Sequence, residues 1–145
     1  MMEQTLVILK PDCMGKGLAG KVVSRFEEAG LTIAGMKMAS LSDGILDEHY
    51  AHLADKPFFT GLKAFMKSSP VVLMVLRGEG AVEKVRAMCG PTDSKNAAKG
   101  TIRGDYGEDV QRNIVHASDS KETAEIEVAR FFKPDELFGW SRPQV

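Results

Sequence analysis

The chain has 145 residues, 43% of them hydrophobic, enough to bury one core without disulfide or metal staples, so positions 1–145 read as a single domain. A formal net charge of −1 excludes any global attraction to nucleic acid or to an anionic membrane, and leaves anion recognition to a local cluster of bases. Its two cysteines, Cys13 and Cys89, lack CxxC spacing and exclude both a disulfide framework and a zinc site; they read as small core fillers.

In chain order, residues 5–9 are β-rich and end at Lys10 and Pro11. That apolar run is too short for a signal peptide or a membrane span, which predicts a cytoplasmic protein. Leu18, Val22, Phe26 and Ala29 recur at helical spacing and stop at Gly30, a good C-terminal cap. Residues 31–38 predict a second strand, and 42–54 and 59–66 two helices separated by Pro57. A buried strand follows at 71–76, then a helix at 81–88 that ends near Gly90 and Pro91. Beyond a polar, glycine-containing loop come a strand at Ile114 and a helix at 120–132. The order βαβ(αα)βαβ predicts an α+β, ferredoxin-like split βαβ fold: a four-stranded antiparallel sheet with helices on one face and an inserted helical pair. No repeats, low-complexity tracts or linkers interrupt it.

Gly15, Gly17 and Gly20 spell GxGxxG, formally a dinucleotide-binding fingerprint. Pro11 and four more residues separate them from the strand, and no acidic residue ends the second strand, so they read as loop and helix-entry residues. A GxxxxGK[ST] phosphate loop is also missing.

The stretch NIVHASDS, 113–120, sets a histidine in a short apolar run with hydroxyls and a carboxylate directly after it. Ile114 and Val115 read as a strand end, so His116 is expected where strand gives way to turn, a place for a presented imidazole. A neutral imidazole can attack phosphorus and carry the phosphoryl group covalently; the competing reading is a structural histidine hydrogen-bonded at a strand end. Bases that could converge on phosphates accompany it. GTIRGD, 100–105, sets Arg103 among glycines that would let backbone approach a ligand, Arg86 is a second guanidinium, Thr92 a neutral donor, and Lys10 lies just past a strand end. Ala124, Val128 and Phe131 form an apolar helix stripe beside Glu127. A carboxylate there needs a partner, and His116 or Ser118 on the neighbouring strand would serve.

Two other function classes fit the sequence less well. A nucleic-acid platform on the sheet lacks the exposed aromatics and the charge it would need. A metal site at His49 and His52, which share a helix face, lacks a third ligand at defined spacing, so both histidines read as solvated helix surface.

TLVILKPD, HYAHLADKPFF, SSPVVLMVL, KGTIRGD and NIVHASDS follow one another in order, and over essentially its whole length the chain closely resembles the nucleoside diphosphate kinase family. The resemblance implies a ping-pong exchange in which a nucleoside triphosphate, ATP included, phosphorylates His116 and a diphosphate then takes the phosphoryl group, with Mg²⁺ on the nucleotide phosphates. It also implies broad base and sugar tolerance. By position, Lys10 and Asn113 would bind ribose hydroxyls, and Phe58 would stack on the base with Leu62 and Val110 nearby. Arg86, Thr92 and Arg103 would hold phosphates; Tyr50 would lie near the imidazole, with Ser118 and Glu127 supporting it. The family self-associates as a homotetramer or a homohexamer. Departures are Ala117, where the family has glycine, Pro91 ahead of Thr92 in the 90–94 loop, and Lys99 where proline is common.

Overall fold

In the computed structural model, which describes residues 2–140 and 142, the two longest apolar runs become the two central strands. β1 (Met2–Leu9) lies between β3 (Val71–Glu79) and β4 (Val115–Ala117), with β2 (Thr32–Ala39) outside β3. Every neighbouring pair is antiparallel, in the order β2-β3-β1-β4 expected of the split βαβ arrangement. Successive side chains alternate between faces, so Leu6, Ile8, Leu73 and Val75 enter one core cluster and Val7, Leu9, Met74 and Leu76 another. Both faces are covered, which is why these strands read as unbroken hydrophobic runs.

Helices α2 (Ala19–Glu28) and α5 (Ala81–Cys89) cover the face of Val7 and Leu9 through Val22, Phe26 and Val85. The inserted pair α3 (Asp43–His49) and α4 (Phe59–Lys67), with the last long helix α7 (Lys121–Phe131), cover the face of Leu6 and Ile8 through Leu46, Met66 and Val128. The one-faced arrangement read from sequence thus extends to two faces, because the outward sides of β1 and β3 are as apolar as their inward sides.

Two short helices occupy stretches that the sequence reading leaves as loop. α1 (Pro11–Gly15) starts on its proline, whose missing N–H and preset φ suit a first helical position. α6 (Ile102–Tyr106) is capped by Thr101, whose Oγ1 accepts from Gly104 N at 3.0 Å. The helix expected over 42–54 stops at His49, and Ala51–Leu53 continues as a 3₁₀ turn. Gly30 caps α2 at φ +88°, as its position in the sequence suggested. No helix among the described residues is long and apolar enough to cross a membrane.

Candidate active site

His116 stands in the middle of β4, not past its end, paired with Ile8 of β1. Residues directly opposite in an antiparallel pair share a face, so His116 points with Ile8 toward α7 while Val115 and Ala117 pack into the opposite core. Ala117, the departure from the family glycine, therefore spends its methyl on core packing in ordinary strand backbone. The chain enters β4 through Ile114, a fully buried β-branched residue at φ 74°, a conformation that such residues rarely hold. Three bonds fix it: Asp12 Oδ2 accepts from Ile114 N at 2.9 Å, Ile114 O accepts from Lys10 N at 2.9 Å, and Val115 N donates to Asn113 O at 2.8 Å. Asp12 was not legible as a site residue, although its place beside Lys10 on the α1 turn sets the entry to the histidine strand.

Glu127 lies on α7 where the stripe of Ala124, Val128 and Phe131 predicts it, 6% exposed. Its Oε1 accepts from Ser118 Oγ at 2.7 Å and lies 2.8 Å from His116 Nε2. Burial pushes this carboxyl up, but the hydrogen bonds from His116 and Ser118 and the attraction of a protonated His116 together outweigh it and hold the group below the usual range. The carboxylate is thus ionised and only accepts, so His116 Nε2 carries the hydrogen. In the neutral ring the lone pair is then on Nδ1, and the His116 side chain is 22% exposed and lines the cleft described below. Ser118, fully buried, also ties Glu127 to the sheet: its Oγ accepts from Leu6 N at 3.3 Å.

His49 overturns the sequence reading, because it is buried where a solvated helix surface was expected; His52 is exposed. The His49 ring meets His116 and Tyr50 edge-on, each at 4.7 Å, and Tyr50 lines the same cleft as His116. Burial pushes the Tyr50 phenol well above its usual value. His49 Nδ1 lies 2.9 Å from Arg130 Nη1 and 3.8 Å from Glu127 Oε2. Burial, then the neighbouring His116, pull the His49 imidazole down to about 3, so the contact with Glu127 is not an ion pair. Because an unfolded histidine takes its proton near 6.5, this group favours the folded state fully above that pH and progressively less toward 3. We expect His49→Asn to flatten the fall in urea-unfolding stability between pH 6.5 and 4, a fall of up to about 1.4 kcal/mol per unit in the wild type. An unchanged slope in the variant would place the acid sensitivity elsewhere.

Around His116 opens a cleft of about 940 Å³ that brings together ten more of the sequence-assigned residues. Only Ser118 stays behind it, acting through Glu127. Lys10 Nζ, at the end of β1, donates to Asn113 Oδ1 and Gln111 O, both at 2.7 Å, and burial pulls it down to about 8. Asn113 Nδ2 in turn donates to Thr92 O and Val110 O. Arg103 does not sit in a glycine loop open to a ligand: it lies in α6, 9% exposed, donating to Gly90 O at 2.7 Å, Val115 O at 2.7 Å and Asn113 O at 3.3 Å. The glycine beside it serves packing inside the chain, since a Cβ on Gly104 would meet Ala98 O at 1.9 Å. Two of the five guanidinium N–H groups of Arg103 remain uncommitted. Arg86, on α5, is exposed, and its charge bears on Arg103; neither guanidinium has a carboxylate partner among the described residues. Phe58 is 53% and Val110 60% exposed at the rim, with Leu62 buried between them and the core. An uncommitted ring nitrogen, unpaired cations and an exposed aromatic thus face one cavity.

Residues 3–137 match the family described as Nucleoside diphosphate kinase. The chain belongs to the nucleoside diphosphate kinase family. It is 58% identical over 139 residues to the nucleoside diphosphate kinase of Parabacteroides distasonis, covering 96% of this chain and 91% of that one. To that of Pyrococcus horikoshii it is 52% identical over 143 residues, covering 97% and 91%. The solved nucleoside diphosphate kinase of Halobacterium salinarum, in complex with CDP, superposes with a TM-score of 0.95 at 45% identity, covering 98% of this chain and 95% of that one. The protein is therefore a phosphotransferase acting between nucleotides.

Kinases of this family work with a divalent metal. The donor cluster in the cleft, His49, His116 and Glu127 within 4.8 Å of one another, is rich in nitrogen, and its carboxylate Oε1 already accepts two hydrogen bonds. Mg²⁺ takes oxygen ligands in octahedral geometry, so this cluster is unsuited to it.

Proposed function

We propose that His116 carries the phosphoryl group in a two-step exchange, and that the whole chain, 1–145, acts as one catalytic domain. Nδ1 attacks the γ-phosphorus of a nucleoside triphosphate; the N–P bond forms as the bond to the β–γ bridging oxygen breaks, and the diphosphate leaves with that oxygen. A terminal oxygen of a second nucleoside diphosphate then attacks the phosphohistidine and returns the neutral ring. The observation that carries this reading is the 2.8 Å bond from Nε2 to Glu127, which orients the ring and offsets the positive charge that phosphorylation places on it. Phosphoryl transfer asks mainly for positioning and for charge on the equatorial oxygens. The free N–H groups of Arg103, with Arg86 and Thr92, supply donors there. Mg²⁺ enters as part of the nucleotide substrate, on its own phosphates, and neutralises charge between them. Lys10 and Asn113, already joined at 2.7 Å, form a polar floor for the ribose hydroxyls.

Incubation with γ-labelled ATP, then unlabelled GDP, should give protein-bound label that is acid-labile and base-stable and that moves quantitatively into GTP. Label that passes to GTP without ever residing on the protein would exclude the covalent route.

Phe58, at the rim, offers a stacking face that any base can use, and base tolerance follows from it. Phe58→Ala is expected to weaken nucleotide binding by about 1 to 3 kcal/mol per site, alike for guanine and cytosine. Isothermal titration with GDP and CDP checks it, and a guanine to cytosine preference above about a thousandfold in the wild type, some 4 kcal/mol, would contradict it. Self-association as a homotetramer or homohexamer belongs to the same reading; its support is the edge strand β2, which leaves Met36 48% and Met38 63% exposed. A cytoplasmic location is supported by two cysteines that are both free and buried.

A further inference from the structure

Arg130 lines the cleft, yet the transfer described above does not use it. It lies three residues beyond Glu127 on the same side of α7 and its side chain is only 12% exposed. Its Nη1 is 2.9 Å from His49 Nδ1, and its Nε, 3.6 Å from Glu48 Oε1, is buried with no hydrogen-bond partner. A guanidinium has donors only and keeps its charge at any working pH, so His49 Nδ1 must be the acceptor. The hydrogen of that ring then sits on Nε2.

We propose that Arg130 is a positioning residue for the nucleophile: by holding His49 Nδ1 as an acceptor it keeps that ring neutral, so that Glu127 stays committed to His116. The proposal rests on His116 as the phosphoryl acceptor. If His49 Nδ1 took a proton, an N–H would face Glu127 Oε2 across 3.8 Å, and a buried carboxylate would turn toward it. That movement would stretch the 2.8 Å bond from His116 Nε2, which sets both the tautomer and the direction of Nδ1. Every element packed on His49 bears on its charge. Glu127 favours the proton, while burial, His116 from β4, Arg130 from α7 and His52 from the following turn oppose it. Tyr50 and Phe131 complete the wall with ring contacts at 4.7 and 5.2 Å. Arg130 alone among these both repels a proton and occupies the nitrogen nearest Glu127.

The test combines ¹⁵N spectra of the histidine rings with quenched-flow labelling of the protein by ATP, stopped in base, from pH 8 down to about 3.5. In wild type, His49 should be the neutral Nε2–H tautomer from pH 8 down to about 4.5. In Arg130→Met, His49 should titrate at least about one unit higher, and phosphorylation should fall roughly tenfold for each unit below that value, with KM for ATP moving less than about threefold. Arg130→Lys, which keeps a cationic donor, should retain the wild-type profile, and Arg130→Met with His49→Asn should regain it, because asparagine does not titrate. A wild-type His49 with its hydrogen on Nδ1, or an Arg130→Met profile that superimposes on wild type, would overturn the proposal. Should the methionine variant fail to fold, the wild-type tautomer and the lysine variant still decide. Absence of label on wild-type protein would instead overturn His116 as acceptor, and the ring spectra would still report on the bond between Arg130 and His49.

Discussion

His116→Ala is expected to be inert, with no acid-labile label from γ-labelled ATP and turnover lower by on the order of a millionfold, as when an enzyme loses its covalent nucleophile. No neighbour can replace it. His49 is closest, but its Nδ1 is engaged by Arg130 and its ring is buried. The variant should still fold. β4 is held by Val115 and Ala117, which pack in the opposite core, and by pairing with Val7, Ile8 and Leu9. The buried Glu127 loses one of its two donors and keeps Ser118, a loss of about 1.5 to 3 kcal/mol that urea unfolding would read. Full labelling of the alanine variant, or loss of its native circular dichroism, would show that the nucleophile or the strand had been misjudged.

Arg103→Ala carries the second large effect, and it has two separable parts. Removing a donor from the migrating phosphoryl group should lower turnover by roughly 100-fold to 1000-fold. Independently, the carbonyls of Gly90, Asn113 and Val115 lose the guanidinium that joins them, which should destabilise the fold by about 3 kcal/mol, since buried acceptors are left without donors. Arg103→Lys separates the parts. A lysine returns a cation to the phosphate but cannot span three carbonyls, so turnover should recover in part while the unfolding midpoint stays low. A wild-type midpoint in Arg103→Ala would remove the brace, and a turnover loss below tenfold would remove the phosphate contact.

How far the chain could be read from its letters differs between its parts for physical reasons. The strands at 71–76 and 5–9 were legible as unbroken apolar runs, because both their faces are buried, and the stripe on α7 as a helical period, because only one of its faces is. α1 and α6 were not, because five-residue helices show no period and both contain the proline or glycines that ordinarily mark loops. The sequence reading took Arg103 for a ligand-facing loop residue because glycines flank it; only the position of Ala98 O reveals that Gly104 is glycine for want of room. His49 was misread for a related reason. On its own helix it has polar neighbours, Glu48 and Asp47, and its burial comes from His116, Phe131 and Arg130, which lie more than sixty positions away.

The letters alone determined the order of the strands and of every α-helix but the two five-residue ones, the apolar faces and, through five motifs, the family. Tertiary structure alone decided which nitrogen of His116 is available, that Arg103 is a brace as well as a cation, and that Arg130 and His49 stand behind the nucleophile. The division is one of distance along the chain. Periodicity and caps are set by residues a few positions apart, whereas a tautomer is set by whichever group arrives across the sheet, and the bond from β4 to α7 exists only once the core has closed around it.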